Sequence, residues 1–169
     1  KFSKEVKYIA GLFDLSYGSL FERDINLFYK TFLNYAVNHS NWGVFIKPKH
    51  LKMDEFPNKT INDTMLKLRK EGRCVVVDDA QNTSPAIAGY VADLCIGFHI
   101  NSAAIVTAIN GSISILWDVS GSTYHPLYKF NDAIIVYPNI KDIVSFLDRF
   151  ATGKENSSDK VKRDRLLNK

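Results

Sequence analysis

The run Ala92-Asp93-Leu94-Cys95-Ile96-Gly97-Phe98-His99-Ile100-Asn101-Ser102-Ala103-Ala104-Ile105-Val106-Thr107-Ala108-Ile109-Asn110-Gly111 reads as a short buried strand, a polar turn and a helix closed by a glycine. Leu94 to Ile96 are apolar without alternation, as in a central parallel strand covered on both faces. Asn101 or Ser102 stands where a cap is needed, and the first helical turn carries only the small side chains of Ala103 and Ala104. Gly111 occupies the C′ position that ends such a helix. A strand that feeds a helix start through small residues presents free backbone N–H groups and the positive end of the helix dipole. That arrangement suits a phosphate.

The same alternation extends in both directions. Val6 to Leu12 reads as a first, central strand, followed by the polar turn Phe13 to Ser19. From Phe21 to Val37, apolar Ile25, Phe28, Phe32, Leu33 and Ala36 fall at helical spacing. Val44 to Ile46 is a second strand ending in Lys47-Pro48-Lys49-His50. Met65, Leu66 and Leu68 mark a helix closed near Gly72, and Cys74 to Val77 a third strand stopped by Asp78-Asp79. Ser84-Pro85, a cap followed by proline at the first helical position, opens a short helix with Ile87, Ala88 and Val91. Beyond Gly111, Ile113 to Trp117 and Ala133 to Tyr137 are the fifth and sixth strands, and Ile140 to Phe150 a last amphipathic helix.

Strands alternating with helices predict an α/β fold: a Rossmann-like three-layer sandwich around a mostly parallel sheet of about six strands. The polar residues Asp14, Ser16, Lys47, Lys49, His50, Asp78, Asp79, His99, Ser102 and Asp118 all follow strand ends, the edge at which open α/β sheets bind ligands. Residues 1–153 form one domain in this reading, and residues 154–169 a polar, basic and flexible tail.

The formal charge of +4 is carried mostly by that tail, which holds six Lys/Arg against three Asp/Glu. A near-neutral body lacks the basic face that a nucleic-acid binder needs. Cys74 and Cys95 fall in predicted buried strands with no CxxC or zinc-type spacing, so they read as core thiols of a reducing cytoplasm. No apolar run reaches membrane-spanning length. The chain begins at Lys1 rather than Met, which leads us to expect a piece of something longer.

Neither GxGxxG after the first strand nor GxxxxGK[ST] occurs, which removes the standard dinucleotide fingerprint and the P-loop. Two softer anion sites remain: Leu15 to Ser19, with Ser16 and Ser19, and Asn101-Ser102-Ala103-Ala104. The Lys47-Pro48-Lys49-His50 turn can aim two ammonium groups and an imidazole over the same edge. His99 and His125 are candidate acid/base groups, His125 lying in a lid-like Gly121 to Pro126 loop. Adjacent Asp78 and Asp79 point to opposite sides of a strand and do not make a metal dyad.

Ala92-Asp93-Leu94-Cys95-Ile96-Gly97 followed by Ser102-Ala103-Ala104 resembles the A-D-x-x-I-x … S-S/A-x-x-x-E-A stretch of glycosyltransferases with the GT-B architecture. Gly111 to Asp118 is similar to their G-x-P-x-I-x-x-D continuation, and Val44 to His50 to their V-V-I-K-P-H/K strand. The nearest group is the transferases of bacterial surface-carbohydrate and capsule biosynthesis, which include Kdo transferases.

The resemblance implies the C-terminal, donor-binding half of a two-domain enzyme, facing an N-terminal acceptor domain absent from this chain. It further implies a nucleotide-sugar donor, a glycan acceptor, no metal and no other cofactor. The implied location is cytoplasmic, at or near the inner face of the membrane. Donor contacts are then expected from Ser16, Ser19, Lys47, Lys49, His50, His99, Asn101, Ser102, Ala103 and Gly121, with His125 and Asp118 as catalytic candidates. One position departs from the pattern: where many members carry a ribose-binding glutamate, this chain has Thr107. Two other readings of the same fold are a nucleotide-sugar epimerase or hydrolase and a non-catalytic, receiver-like signalling module.

Overall fold

The computed structural model describes residues 1–15, 21–49, 58–77, 83–122, 124–129 and 134–153. Strand and helix alternate along the chain as β1 (Tyr8–Phe13), α1 (Glu22–Asn38), β2 (Trp42–Lys47), α2 (Lys59–Lys70), β3 (Cys74–Val76) and α3 (Pro85–Val91). They continue as β4 (Leu94–Phe98), α4 (Ser102–Ile109), β5 (Ile113–Trp117), β6 (Ile134–Tyr137) and α5 (Ile140–Thr152). A 3₁₀ turn, Pro126–Tyr128, lies between β5 and β6. The first strand starts two residues later than its apolar run, because Val6 N–H closes a turn on Ser3 C=O and Lys7 and Tyr8 both donate to Asn41 C=O.

The sheet has six strands in the order β3-β2-β1-β4-β5-β6, and every pairing is parallel. The α/β three-layer architecture read from the sequence is therefore present. Winding reverses between β1 and β4, which pair as neighbours with Gly11 opposite Cys95 and Phe13 opposite Gly97. That reversal opens a crevice beyond the carboxyl ends of the two strands.

Strand alternation divides the core. Leu12, Ile46, Leu94, Ile96, Phe98, Ile115 and Trp117 face α1, α2 and α5, together with Ile25, Phe28, Met65, Leu68, Ile143 and Phe146. On the other face, Phe13, Phe45, Cys95 and Leu116 meet the alanines Ala88, Ala92, Ala104 and Ala108 of the α3–α4 layer. Small side chains let α4 lie very close to the sheet. A Cβ on Gly97 would sit 2.9 Å from the Ala104 Cβ and 2.8 Å from Leu116 Cδ2. Burial pushes the Cys74 thiol up to about 12 and the Cys95 thiol up to about 11, so both are inert core groups.

Helix starts are set by local chemistry. Asn58, Ser84, Asn101 and Asn139 each accept hydrogen bonds from the first-turn amides of α2, α3, α4 and α5. The C-terminus of α4 closes with Gly111 at φ +90°, its N–H on Ala108 C=O (3.0 Å) and Ser112 N–H on Thr107 C=O (3.1 Å). Those two bonds make a Schellman ending, which requires the left-handed residue that glycine supplies.

Candidate functional site

The crevice at the reversal of winding has a volume of about 170 Å³ and is lined by Asp14, Leu15, Lys47, Lys49, Asn101, Ser102 and Ala103, with Phe13 and Pro85 completing its walls. Its frame is a hydrogen-bond cluster that ties four elements together. The carboxylate of Asp14, just past β1, accepts from the Tyr29 hydroxyl of α1 (2.9 Å) and from the Lys49 N–H beyond β2 (2.6 Å). The Asp14 carbonyl accepts from the Asn101 amide (2.6 Å), and Asn101 Oδ1 in turn accepts the Ala103 N–H (2.7 Å). One asparagine thus caps α4 and fastens it to β1. Ser102 is exposed, and the Ser102 and Ala104 N–H groups at the start of α4 make no hydrogen bond among the described residues.

Charges in the crevice are held away from their ordinary values. Asp14 is buried, and the loss of water pushes its carboxyl up to about 6, against the bonds from Lys49 and Tyr29 and the charge of Lys47. Partial burial lowers Lys47, offset by Asp14. The crevice therefore joins a cation, the Ser102 amide at the start of α4 and a carboxylate of weakened acidity.

A second cluster lies across the ends of β4 and β5. Asp118 is buried, accepting from Ser120 N–H (3.0 Å), Ser120 Oγ (2.7 Å) and the Tyr128 hydroxyl (2.8 Å), and its Oδ1 lies 3.3 Å from His99 Nδ1. Burial alone would raise this carboxyl, but the bonds from Ser120 and Tyr128 and the charge of His99 hold it below the usual range. The Tyr128 phenol is pushed up to about 12 by burial and by Asp118.

Lys47, Lys49, Asn101, Ser102 and Ala103 thus meet at the crevice, although Lys49 frames it through its backbone as well as its side chain. His99 and Asp118 meet each other in the second cluster. His125 stands apart, half-buried, its Nδ1 accepting the Leu127 N–H (3.2 Å) as the cap of the 3₁₀ turn. Gly121 is exposed at φ +62° and donates its N–H to the Asp118 carbonyl (3.3 Å). Ser16, Ser19, His50, Asp78 and Asp79 lie outside the described residues. Thr107 is fully buried, bonded to Ala104 C=O and Ser114 Oγ (2.8 Å each), so this position makes no ribose contact in this chain.

Asp14, Tyr29 and Tyr128 are the site residues that sequence reasoning did not assign. Asp14 alone left a signal, as the first polar residue after a central strand. Among the described residues no helix is long and apolar enough to cross a membrane, and no group of three or more His, Cys, Asp or Glu is placed to hold a metal ion. The chain matches no family model, no curated protein and no solved structure in the comparisons made.

Proposed function

We propose that this chain is the donor-binding half of a metal-independent glycosyltransferase that moves a sugar from a nucleotide sugar to a cell-surface glycan. The observation that carries the proposal is the open crevice at the reversal of winding, where the start of α4, with a Ser102 N–H that makes no hydrogen bond among the described residues, lines the same wall as Lys47. A leaving diphosphate or monophosphate is stabilised by such fixed dipoles and a nearby cation. At about 170 Å³ the crevice is smaller than the roughly 300–1,000 Å³ typical of small-molecule sites. It suits the phosphate portion of a donor, with the remainder covered by a facing domain. The sheet order also separates this chain from a receiver-like module, whose strands run 2-1-3-4-5.

The paired His99 and Asp118 keep one second reading in play, a nucleotide-sugar epimerase or hydrolase that needs acid/base groups at this edge. Thermal unfolding of the full-length protein with UDP-, CMP- and GDP-linked ligands tests the main reading. At least one ligand is expected to raise the melting temperature, and Ser102→Trp, which fills the crevice mouth, to abolish the rise. No response to any nucleotide overturns it. Epimer or free sugar formed without acceptor, and lost in Asp118→Asn, selects the second reading.

A further inference from the structure

His99 is the only non-glycine residue with positive φ among the described residues, at +57°. Histidine is tolerated there better than bulky or β-branched residues, but the conformation still costs backbone energy, and such residues gather at functional sites. Its backbone N–H continues the ladder by donating to Trp117 C=O (2.8 Å), so the left-handed turn falls at the point where β4 gives way to the α4 cap. The turn sets the imidazole against the Phe21 ring, with centroids 5.7 Å apart, and its Nδ1 3.3 Å from Asp118 Oδ1. Nδ1 is buried and makes no aligned hydrogen bond among the described residues, so its tie to Asp118 is one of charge at 3.3 Å, while about 24% of the side chain stays exposed. The exposed share of the side chain therefore lies away from Nδ1.

Asp118 cannot reach a ligand itself. It is 1% exposed, and its two oxygens already accept from Ser120 and Tyr128. Its ionised form is the form those donors favour, so it presents a fixed negative charge to Nδ1. A carboxylate at Nδ1 selects the tautomer with the proton on that nitrogen and leaves the Nε2 lone pair free to take another.

We infer that His99 is the proton acceptor of this sheet edge and that Asp118 is its positioning residue. The inference rests on the donor-binding reading for its substrate class, a sugar hydroxyl. In the transfer, the hydroxyl gives its proton to Nε2 as its oxygen bonds to the anomeric carbon. The bond from that carbon to the phosphate oxygen breaks, and its electron pair leaves with the nucleoside phosphate. The imidazolium, balanced by Asp118, then returns its proton to water.

Long-range ¹H–¹⁵N spectra of the histidine side chains in the full chain test the orientation directly. His99 is expected as the Nδ1–H tautomer, with that preference lost in Asp118→Asn. Tyr128→Phe, which removes another donor from Asp118 without touching the imidazole, is expected to keep it. A wild-type His99 carrying its proton on Nε2 overturns the inference, and this measurement needs no variant to fold. So does a folded Asp118→Asn protein with an unchanged tautomer.

Acylation by diethyl pyrocarbonate, mapped by mass spectrometry, tests the free Nε2 and its place. His99 is expected to react, and a UDP-, CMP- or GDP-sugar that raises the melting temperature is expected to suppress the reaction. A donor that binds while His99 reacts at the same rate places the imidazole outside the site and overturns the inference. The expected tautomer and reactivity with no response to any nucleotide sugar leave the dyad standing and remove the donor-binding reading instead.

Discussion

Asp14 puts a carboxylate where water cannot follow. Its folded value of about 6 lies above the ordinary 3.8, so the native state holds this proton more tightly than the unfolded chain does. The stabilisation from that proton is complete below 3.8 and is lost as pH rises through about 6, a change of about 3 kcal/mol at most. Asn at this position keeps an acceptor for the Lys49 N–H and turns its own N–H to the Tyr29 oxygen. Urea unfolding at about pH 4 and about pH 7.5 is expected to show Asp14→Asn gaining about 2–3 kcal/mol on the parent between the two. An equal pH dependence in both proteins rejects this account.

The same charge lies in the crevice wall, where it opposes an incoming anion. Protonation removes the charge but keeps the frame, since a protonated carboxyl can donate to Tyr29 while still accepting from Lys49. Sulfate, whose charge is constant here, is therefore expected to bind more tightly as pH falls from about 7.5 to about 5. The amide resonances of Ser102 and Ala103, which line the crevice, report the binding, and the pH effect should vanish in Asp14→Asn.

Helix α4 owes its position to one cap and one missing side chain. Asn101 gives up two bonds on replacement by alanine, the cap on Ala103 N–H and the tie to the buried Asp14 carbonyl. The expected loss is about 2–3 kcal/mol by chemical denaturation, above the ~1 kcal/mol of an ordinary cap because a buried acceptor is left unsatisfied. Gly97→Ala drives a methyl into Ala104 and Leu116 at under 3 Å, and neither the α4 backbone nor a packed leucine yields freely. It should cost about 1–3 kcal/mol and weaken nucleotide protection by lifting the start of α4 away from the crevice. A Gly97→Ala protein as stable as the parent contradicts this packing.

The two faces of the sheet are built differently. One is covered by the long helices α1, α2 and α5 with a deep aromatic core, the other by α3 and α4 through alanines and glycines. The thicker layer is tied down by Arg73, a buried side chain after α2 whose guanidinium donates to the carbonyls of Ala36, His39 (2.8 Å) and Trp42 and pairs with Glu71 (3.0 Å). It satisfies the open carbonyl end of α1 and joins α1, β2 and α2 in one contact. Arg73→Leu strands those carbonyls and is expected to cost about 2–4 kcal/mol, read from the urea midpoint. Nothing in the local sequence around Arg73 announces this role, because the carbonyls it binds belong to residues more than thirty positions upstream.

Element order and element type were legible in the chain because each rests on contacts between near neighbours, and the parallel sheet followed from the alternation of strands with crossover helices. Apolar runs, Ser84-Pro85, the Asn101 cap and Gly111 act within a few residues of themselves. The strand ends, and with them Lys47, Asn101 and Ser102 at one edge, followed from that order and from the handedness of crossovers. Which edge residues touch was not legible. Asp14 under Lys49, Tyr29 on Asp14, and His99 against Asp118 join positions 15 to 35 apart, and their pairing depends on register and on which way a single left-handed residue turns. Burial, too, is a property of the assembled layers. Only there does Asp14 lose its water while Asp118 stays charged among its donors, and that difference in environment divides two like residues into two chemistries.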